Sequence, residues 1–138
     1  MNAPSSREAT FSHPVRVYWE DTDAGGVVFY ANYLKFFERA RTEWLRALGF
    51  SQQRLREETG AIFVVGSTEL RYLRPARLDD DLRVTVQLQQ AGRATMLIDQ
   101  QAWRSEELLA EGRIRIGCVD QGTFRPRRIP DTILQAVS

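Results

Sequence analysis

Three reactive or charged residue types are scarce in this chain of 138 residues: it has one cysteine (Cys118), one histidine (His13) and one lysine (Lys35). A single cysteine excludes an internal disulfide and gives no reason to expect an oxidising compartment. A single histidine near one end of the chain argues against a Ser-His-Asp triad and against a zinc site with several His and Cys ligands. Nearly all positively charged side chains are arginines. We therefore expect any phosphate or carboxylate group of a ligand to be bound by the two-pronged guanidinium of an arginine.

Long apolar runs and a one-sided charge are also missing. No segment approaches the roughly 18 apolar residues of a membrane-spanning helix, and the N-terminal "MNAPSSREATFSHPV" lacks the pattern of a signal peptide. The 19 Lys and Arg residues against 18 Asp and Glu give a net charge of +1, which provides no basic field to attract nucleic acid. We therefore predict a cytoplasmic protein without a nucleic-acid partner or a transmembrane segment, with a loose N-terminal leader over residues 1–12.

The composition and hydrophobic periodicity indicate one domain over residues 1–138, since 43% of the residues are hydrophobic and no repeat is present. Val15, Val17 and Trp19 alternate with polar residues, which predicts a half-buried strand. The following "NYLKFFERARTEWLRALGF" predicts an amphipathic helix that starts at an N-cap Asn32 and ends at Gly49. Arg39 and Glu43 are spaced to pair on its surface. The predicted apolar stripe of this helix is Tyr33, Phe37, Ala40, Trp44 and Leu48.

Four further segments alternate with period two and predict strands after the polar "SQQRLREETG", which is compatible with another helical turn or two. They are "AIFVVGSTELRYL", "LRVTVQLQQ", "ATMLIDQQAW" and "LLAEGRIRIGCVD". The short links between the last three favour antiparallel hairpins, and the apolar end of the tail is suited to dock as a turn of helix. In "LRVTVQLQQ" the inward face is Leu82, Val84, Val86 and Leu88. Across the predicted sheet, the outward and solvated registers include Thr85, Gln87, Thr95, Gln101 and Arg115.

This order of elements predicts the α+β class, with an antiparallel β-sheet wrapped around one long α-helix. The edges of such a sheet can pair between subunits, so we expect a homo-oligomer.

An acidic, glycine-containing loop, "EDTDAGG", lies between the first strand and the long helix. The first N–H groups of a helix have no internal partner and, with the helix dipole, form an oxyanion site. Asp21 and Asp23 precede this site, while Gly25 and Gly26 let a substrate carbonyl approach the backbone. A carboxylate can attack an acyl carbon as a nucleophile, or it can deprotonate a water molecule that attacks. Together with N–H groups that bind an oxyanion, it provides the groups needed to hydrolyse an activated acyl compound.

The simpler interpretation is structural: Asp21 and Asp23 accept hydrogen bonds from backbone N–H groups in a turn whose glycines adopt positive φ angles. For Asp21 we favour this role as a turn-former. A calcium loop of the EF-hand type does not fit, because Gly25 and Asn32 stand where oxygen ligands would be needed.

The segment "VRVYWEDTDAGGVVFYANYLKFFERARTEWLRALGFS", with the later "FVV" and "YLRPARLDDDL", resembles a known family. It is similar to the hot-dog-fold acyl-CoA thioesterases of the 4-hydroxybenzoyl-CoA thioesterase type, and most to their Tol-Pal-associated (YbgC-type) branch. The resemblance extends from about Pro14 to Cys118.

The resemblance implies a hot-dog domain that forms dimers through sheet edges and often homotetramers. It also implies hydrolysis of small or medium acyl-CoA esters with no metal or bound cofactor, coenzyme A being part of the substrate and acyl carrier protein an alternative acyl donor. The catalytic acid of the family corresponds to Asp23, and the N–H that polarises the thioester carbonyl lies near Tyr30. Many Tol-Pal-associated members have a histidine at this second position, whereas this chain has the tyrosine found in aromatic-acyl thioesterases.

Several other residues are weaker candidates. Arg93, in a predicted hairpin, and the group Arg125, Arg127 and Arg128 could each contact the phosphates of CoA. Cys118 lies on an apolar register, which predicts a core position rather than a nucleophile. The Asp79–Asp81 run predicts a solvated turn rather than a metal site.

Two alternative functions remain open at this point. A hot-dog hydratase or dehydratase acts on the same esters but normally pairs a histidine with an acid at the helix start. A non-catalytic acyl-CoA or acyl-carrier binding module would use Asp23 only as a structural residue.

Overall fold

The computed structural model describes residues 10–138. In this part of the chain, the predicted order of one strand, a long helix and four strands is confirmed. Residues 1–9 of the predicted leader lie outside the described residues, and the first strand begins inside that leader, at Phe11. The elements are β1 (Phe11–Arg16), a 3₁₀ turn (Trp19–Asp21), α1 (Asn32–Ala47), α2 (Gln52–Thr59), β2 (Ala61–Tyr72), β3 (Asp81–Ala91), β4 (Thr95–Arg104), β5 (Glu107–Asp120) and α3 (Asp131–Val137).

The five strands form one antiparallel sheet in the order β1-β3-β4-β5-β2. Consecutive hairpins join β3 to β4 and β4 to β5, as their short links predict. The chain passes through α1 and α2 between β1 and β2, which places these two strands at opposite edges of the sheet. None of the helices in residues 10–138 is both long enough and apolar enough to span a bilayer.

The core lies between α1 and one face of the sheet. The predicted inward residues of β3 are all buried, and so are Tyr33, Phe37 and Ala40 of the predicted helical stripe. Trp44 and Leu48 are half-buried at its end. The periodicity did not single out Phe36 and Leu45, which are also buried. The apolar face of α1 is therefore wider than a single stripe.

The ends of α1 follow the prediction at one terminus and depart from it at the other. Gly49 has a φ of +98° and donates to the Arg46 carbonyl, while Phe50 donates to the Leu45 carbonyl, a Schellman motif that ends the helix. At the start, the prediction of Asn32 as N-cap is wrong. Ala31 occupies that position, and the Asn32 side chain donates to Asp21 instead.

Three further side-chain predictions are wrong. β1 ends at Arg16, so Trp19 enters the 3₁₀ turn and is 79% exposed instead of facing the core. Thr85 is buried because its hydroxyl accepts the Gln101 N–H at 3.0 Å, where the β3–β4 ladder is interrupted.

The third error concerns the surface pair on α1. Glu43 forms its ion pair with Arg46 rather than with Arg39.

Candidate active site

The acidic loop folds as a small hairpin that leads into α1. Thr22 and Val28 form an isolated antiparallel bridge, and the Asp23 N–H donates to the Val27 carbonyl at 2.9 Å. Gly26 closes the turn by donating to the Asp23 carbonyl at 3.0 Å, with a φ of +80° that favours glycine. The loop geometry thus rests on contacts between residues close together in the chain.

Asp23 uses one carboxylate oxygen to hold this turn. Its Oδ1 accepts the Gly25 N–H at 2.8 Å and the Val27 N–H at 3.4 Å. A Cβ on residue 25 would lie 3.2 Å from the same oxygen, which explains why glycine suits that position. The residue is exposed, and its Oδ2 accepts no hydrogen bond from residues 10–138. The predicted turn interaction is present, and it leaves one carboxylate oxygen available to a ligand.

Asp21 has a different environment although it is only two residues away. It is 3% exposed, and its carboxylate accepts the Tyr18 N–H at 2.8 Å and the Asn32 side-chain amide at 3.1 Å. Its carbonyl also accepts the Phe29 N–H. Asp21 therefore joins the 3₁₀ turn to the first residue of α1, a structural role that agrees with the predicted turn-former.

Unpaired backbone N–H groups are found just before α1. The N–H groups of Tyr30 and Ala31 donate to no acceptor within residues 10–138, as expected at a helix start. The Tyr72 hydroxyl donates to the Tyr30 carbonyl at 3.1 Å. This bond holds the peptide plane that also carries the Ala31 N–H. Partial burial raises the pKa of Tyr72, so its hydroxyl stays protonated and able to donate.

A shallow cleft of about 280 Å³ lies beside this helix start. Tyr30, a residue that is 61% exposed, lines the cleft, and Tyr33 and Tyr72 form its aromatic wall, with 5.6 Å between their ring centroids. Asp23 is not among the lining residues and stands on the adjoining loop. Sequence reasoning assigned no role to Tyr72, although its place at the end of a predicted strand was a usable signal. The other lining residues are Val28, Leu73, Arg74 and Pro75.

Residues 17–137 match the thioesterase-like superfamily. This chain belongs to that superfamily. The acyl-CoA thioesterase YbgC of Haemophilus influenzae is 47% identical over 126 residues, which cover 91% of this chain and 93% of that protein. The acyl-CoA thioester hydrolase YbgC of Escherichia coli is 45% identical over 125 residues, 90% of this chain and 92% of that protein.

Solved structures agree with the superfamily assignment. The crystal structure of a probable thioesterase from Bartonella henselae superposes with a TM-score of 0.84 at 34% identity, covering 88% of this chain and 100% of that one. The resemblance to hot-dog thioesterases and the α+β hot-dog fold are thereby confirmed. The YbgC relatives also confirm the prediction of an enzyme that hydrolyses thioesters.

Arginines of this thioesterase-family chain gather at a second shallow cleft, of about 320 Å³, lined by Arg93, Arg127 and Arg128. Arg127 lies 3.6 Å from Asp120, and Arg128 pairs with Asp131 at 3.0 Å. Arg93 is exposed and takes part in no ion pair within residues 10–138. Its guanidinium is the least committed of the three.

Arg125, the remaining member of the predicted arginine group, does not line this cleft.

The remaining candidates have structural environments in this thioesterase fold. Cys118 is buried, and burial raises the pKa of its thiol, which disfavours a nucleophilic thiolate. His13 is half-buried in β1, opposite Val84. In the Asp79–Asp81 run, Asp79 lies in a turn, Asp80 pairs with Arg104 at 2.7 Å and Asp81 begins β3. Residues 10–138 contain no group of three or more His, Cys, Asp or Glu placed to hold a metal ion.

Proposed function

We propose that this protein hydrolyses the thioester of a small or medium acyl-CoA to the free acid and CoA, with Asp23 and the Tyr30 N–H as its catalytic groups. The observation that carries the proposal is the unpaired Tyr30 N–H at the helix start, next to a loop that leaves Asp23 Oδ2 open. The two YbgC relatives, named as an acyl-CoA thioesterase and an acyl-CoA thioester hydrolase, support the same reaction.

In the first step, the carbonyl oxygen of the thioester accepts a hydrogen bond from the Tyr30 N–H. The N–H and the positive end of the α1 dipole stabilise the negative charge that develops on this oxygen in the tetrahedral intermediate. Asp23 acts by one of two routes. It attacks the carbonyl carbon to give a mixed anhydride that water then hydrolyses, or it removes a proton from the water that attacks. In both routes the C–S bond breaks, and CoA leaves as a thiolate that takes up a proton from water.

Arg93 is the proposed contact for the phosphates of CoA. Its exposed guanidinium without an ion pair supports this role, because a bidentate Arg–phosphate contact needs free donors. We expect Arg93→Glu to raise the KM for acyl-CoA and to leave kcat nearly unchanged. Arg125→Glu is the matched control, since Arg125 carries the same charge and does not line the cleft. An equal KM change in both variants would remove Arg93 from the site.

A thiol-release assay over short, long and aromatic acyl-CoAs, with Asp23→Asn as the control enzyme, tests the proposal. Thiol release that depends on Asp23 supports the proposed hydrolysis. The same assay with acyl carrier protein loaded with the preferred acyl group tests whether that protein is an alternative acyl donor. Hydration of crotonyl-CoA without thiol release would instead indicate a hot-dog hydratase. Saturable acyl-CoA binding with no turnover would indicate a binding module.

We further propose a homo-oligomer, a dimer or tetramer, that forms through the edge of the sheet. β2 is a 12-residue edge strand, and Val65 in its middle is 51% exposed, so a second copy could extend the ladder. Light scattering should give a multiple of the 15.9 kDa chain mass, and a monomer at micromolar concentration would contradict this. Cytoplasmic location and association with the Tol-Pal system remain predictions from the sequence and its family resemblance.

A further inference from the structure

Arg41, in the middle of α1, is a buried cation without a carboxylate partner. The residue is only 8% exposed. None of the ion pairs within residues 10–138 includes it. Arginine remains protonated in proteins, and a buried charge is costly unless an opposite charge or hydrogen bonds compensate it. The structure of this region therefore includes a buried positive charge that no ion pair balances.

Gln100 holds the guanidinium from one side. Arg41 Nη1 donates to Gln100 Oε1 at 2.8 Å, and Gln100 is fully buried. The Gln100 amide in turn donates to the Phe37 carbonyl at 2.9 Å and to the Thr85 carbonyl at 3.3 Å. Because both ends of this amide are engaged, the direction of the Arg41 side chain is set before any ligand arrives.

The other N–H groups of Arg41 have no acceptor in the described part of the chain. Nε and Nη2 donate to no acceptor within residues 10–138, yet every fully buried side-chain nitrogen or oxygen in that range has a partner. These two nitrogens are therefore not fully buried. Arg41 lines a cavity of about 250 Å³, and we infer that this cavity is the space they reach.

Most of the residues that line the cavity around this charge are apolar. The cavity lies between α1, the start of α2 and the sheet, and an apolar cavity of about 150 Å³ is large enough to hold benzene. A six-membered ring with a carboxylate group therefore fits its volume. Gln52 is a further polar lining residue, at the α2 side. The apolar lining residues are Trp44, Leu45, Phe63, Val64, Val65, Met96 and Ile116.

Glu38 is the acidic residue nearest in sequence that also lines the cavity. Its charge favours the protonated form of Arg41, but burial has the larger effect, so the pKa of Arg41 is lowered on balance. Glu38 is exposed, and solvent screens its charge at the rim. Arg41 thus keeps unused donors and a positive charge without an ion pair beside this cavity.

We propose that this cavity binds a small organic carboxylate with an apolar body, whose two oxygens accept hydrogen bonds from Arg41 Nε and Nη2. This fork geometry is the usual one for Arg–carboxylate pairs. Arg41 lies nine residues after the start of α1, about 13 Å along its axis, so the ligand does not occupy the helix start. Binding here does not depend on which reaction the helix start catalyses.

Met96 provides a direct measurement, because Met1 and Met96 are the only methionines of the chain and Met96 lines the cavity. Protein labelled with ¹³C at the methionine methyl groups is titrated with benzoate and, separately, with neutral benzamide. We expect a saturable shift of the Met96 methyl signal with benzoate and a much weaker response to benzamide. Equal responses to both compounds, or no saturable shift at millimolar benzoate, would overturn the proposal.

Two variants complete the test. Arg41→Leu removes the charge without adding a methionine signal and should abolish the benzoate shift. Arg39→Leu removes an equal charge from the exposed face of α1 and should leave the shift unchanged. Benzoate binding that survives in Arg41→Leu would contradict the proposal. If Arg41→Leu does not fold, the comparison of benzoate with benzamide on the wild-type protein decides the question.

Discussion

The start and the middle of α1 both carry polar groups without a protein partner, but they differ in what holds them. At the start, the Tyr30 N–H and Asp23 Oδ2 are exposed, and the loop around them is closed by hydrogen bonds between near neighbours in sequence. In the middle, Arg41 is buried and held by Gln100, 59 positions away in the chain. The start of the helix should therefore tolerate side-chain changes that the middle does not.

Asp23→Asn should show the largest effect, and it should affect activity alone. Asparagine keeps the side-chain oxygen that accepts the Gly25 N–H, so the turn is preserved while the negative charge is lost. We expect the thiol-release rate to fall at least roughly a hundredfold, the low end for a positioned acid or base, with an almost unchanged melting temperature.

Asp21→Asn is the contrasting variant, because Asp21 is buried and bonds to Tyr18 and Asn32. It should lose about 1–3 kcal/mol of stability, since its amide cannot accept at both atoms. Wild-type turnover of Asp23→Asn on every acyl-CoA would show that Asp23 is only a turn residue.

Gln100→Leu should cause the largest loss of stability. It leaves Arg41 without its hydrogen-bond acceptor and the Thr85 carbonyl without a donor, both in the core. We expect the free energy of unfolding to fall by about 2–3 kcal/mol, measured by urea denaturation. Gln90→Leu, on an exposed position of β3, should stay within about 0.5 kcal/mol of wild type. Similar results for both variants would mean that the middle of α1 does not depend on this amide.

Gly112→Ala tests how closely α1 packs on the sheet. A Cβ there would lie 2.5 Å from Leu70 Cδ2 and 3.0 Å from Phe37 Cε2, so side chains on both layers must move. We expect a loss of about 1–3 kcal/mol in thermal or urea unfolding. Gly117→Ala, on the same strand, meets no atom within 4 Å and should be nearly neutral. A neutral Gly112→Ala would show that the helix has room to shift.

Asp120→Asn should have the smallest effect, at a second site closed by local hydrogen bonds. The Thr123 and Gly122 N–H groups lower the pKa of the Asp120 carboxyl, so its ionised form stabilises the folded protein. This contribution is present above the unfolded pKa of about 3.9 and is lost as the pH falls through the lower folded value. The stability difference between wild type and variant, measured by melting temperature against pH, should therefore shrink on acidification. A constant difference would mean that ionisation of Asp120 plays no part.

Sequence patterns predicted the elements well and the side-chain partners less well. Hydrophobic period and local turn signals identified the five strands found in residues 10–138, the long helix and its end at Gly49, because each depends on residues near one another. The errors at Trp19, Asn32 and Thr85 share one cause. Asn32 and Thr85 bond to residues of other elements, and Trp19 lies beyond the end of β1 and does not pack on the core. In each case the position of a neighbouring element, which the fold sets, decides the environment of the side chain.

For the candidate site, the sequence alone determined the loop chemistry. Asp23, Gly25 and Gly26 form their turn through contacts a few residues apart, so their spacing was enough to predict it. The tertiary structure alone decided that Tyr72 reaches the Tyr30 carbonyl and that Gln100 meets Arg41. These pairs are far apart in the chain, and they meet only because the packed sheet brings its strands against α1.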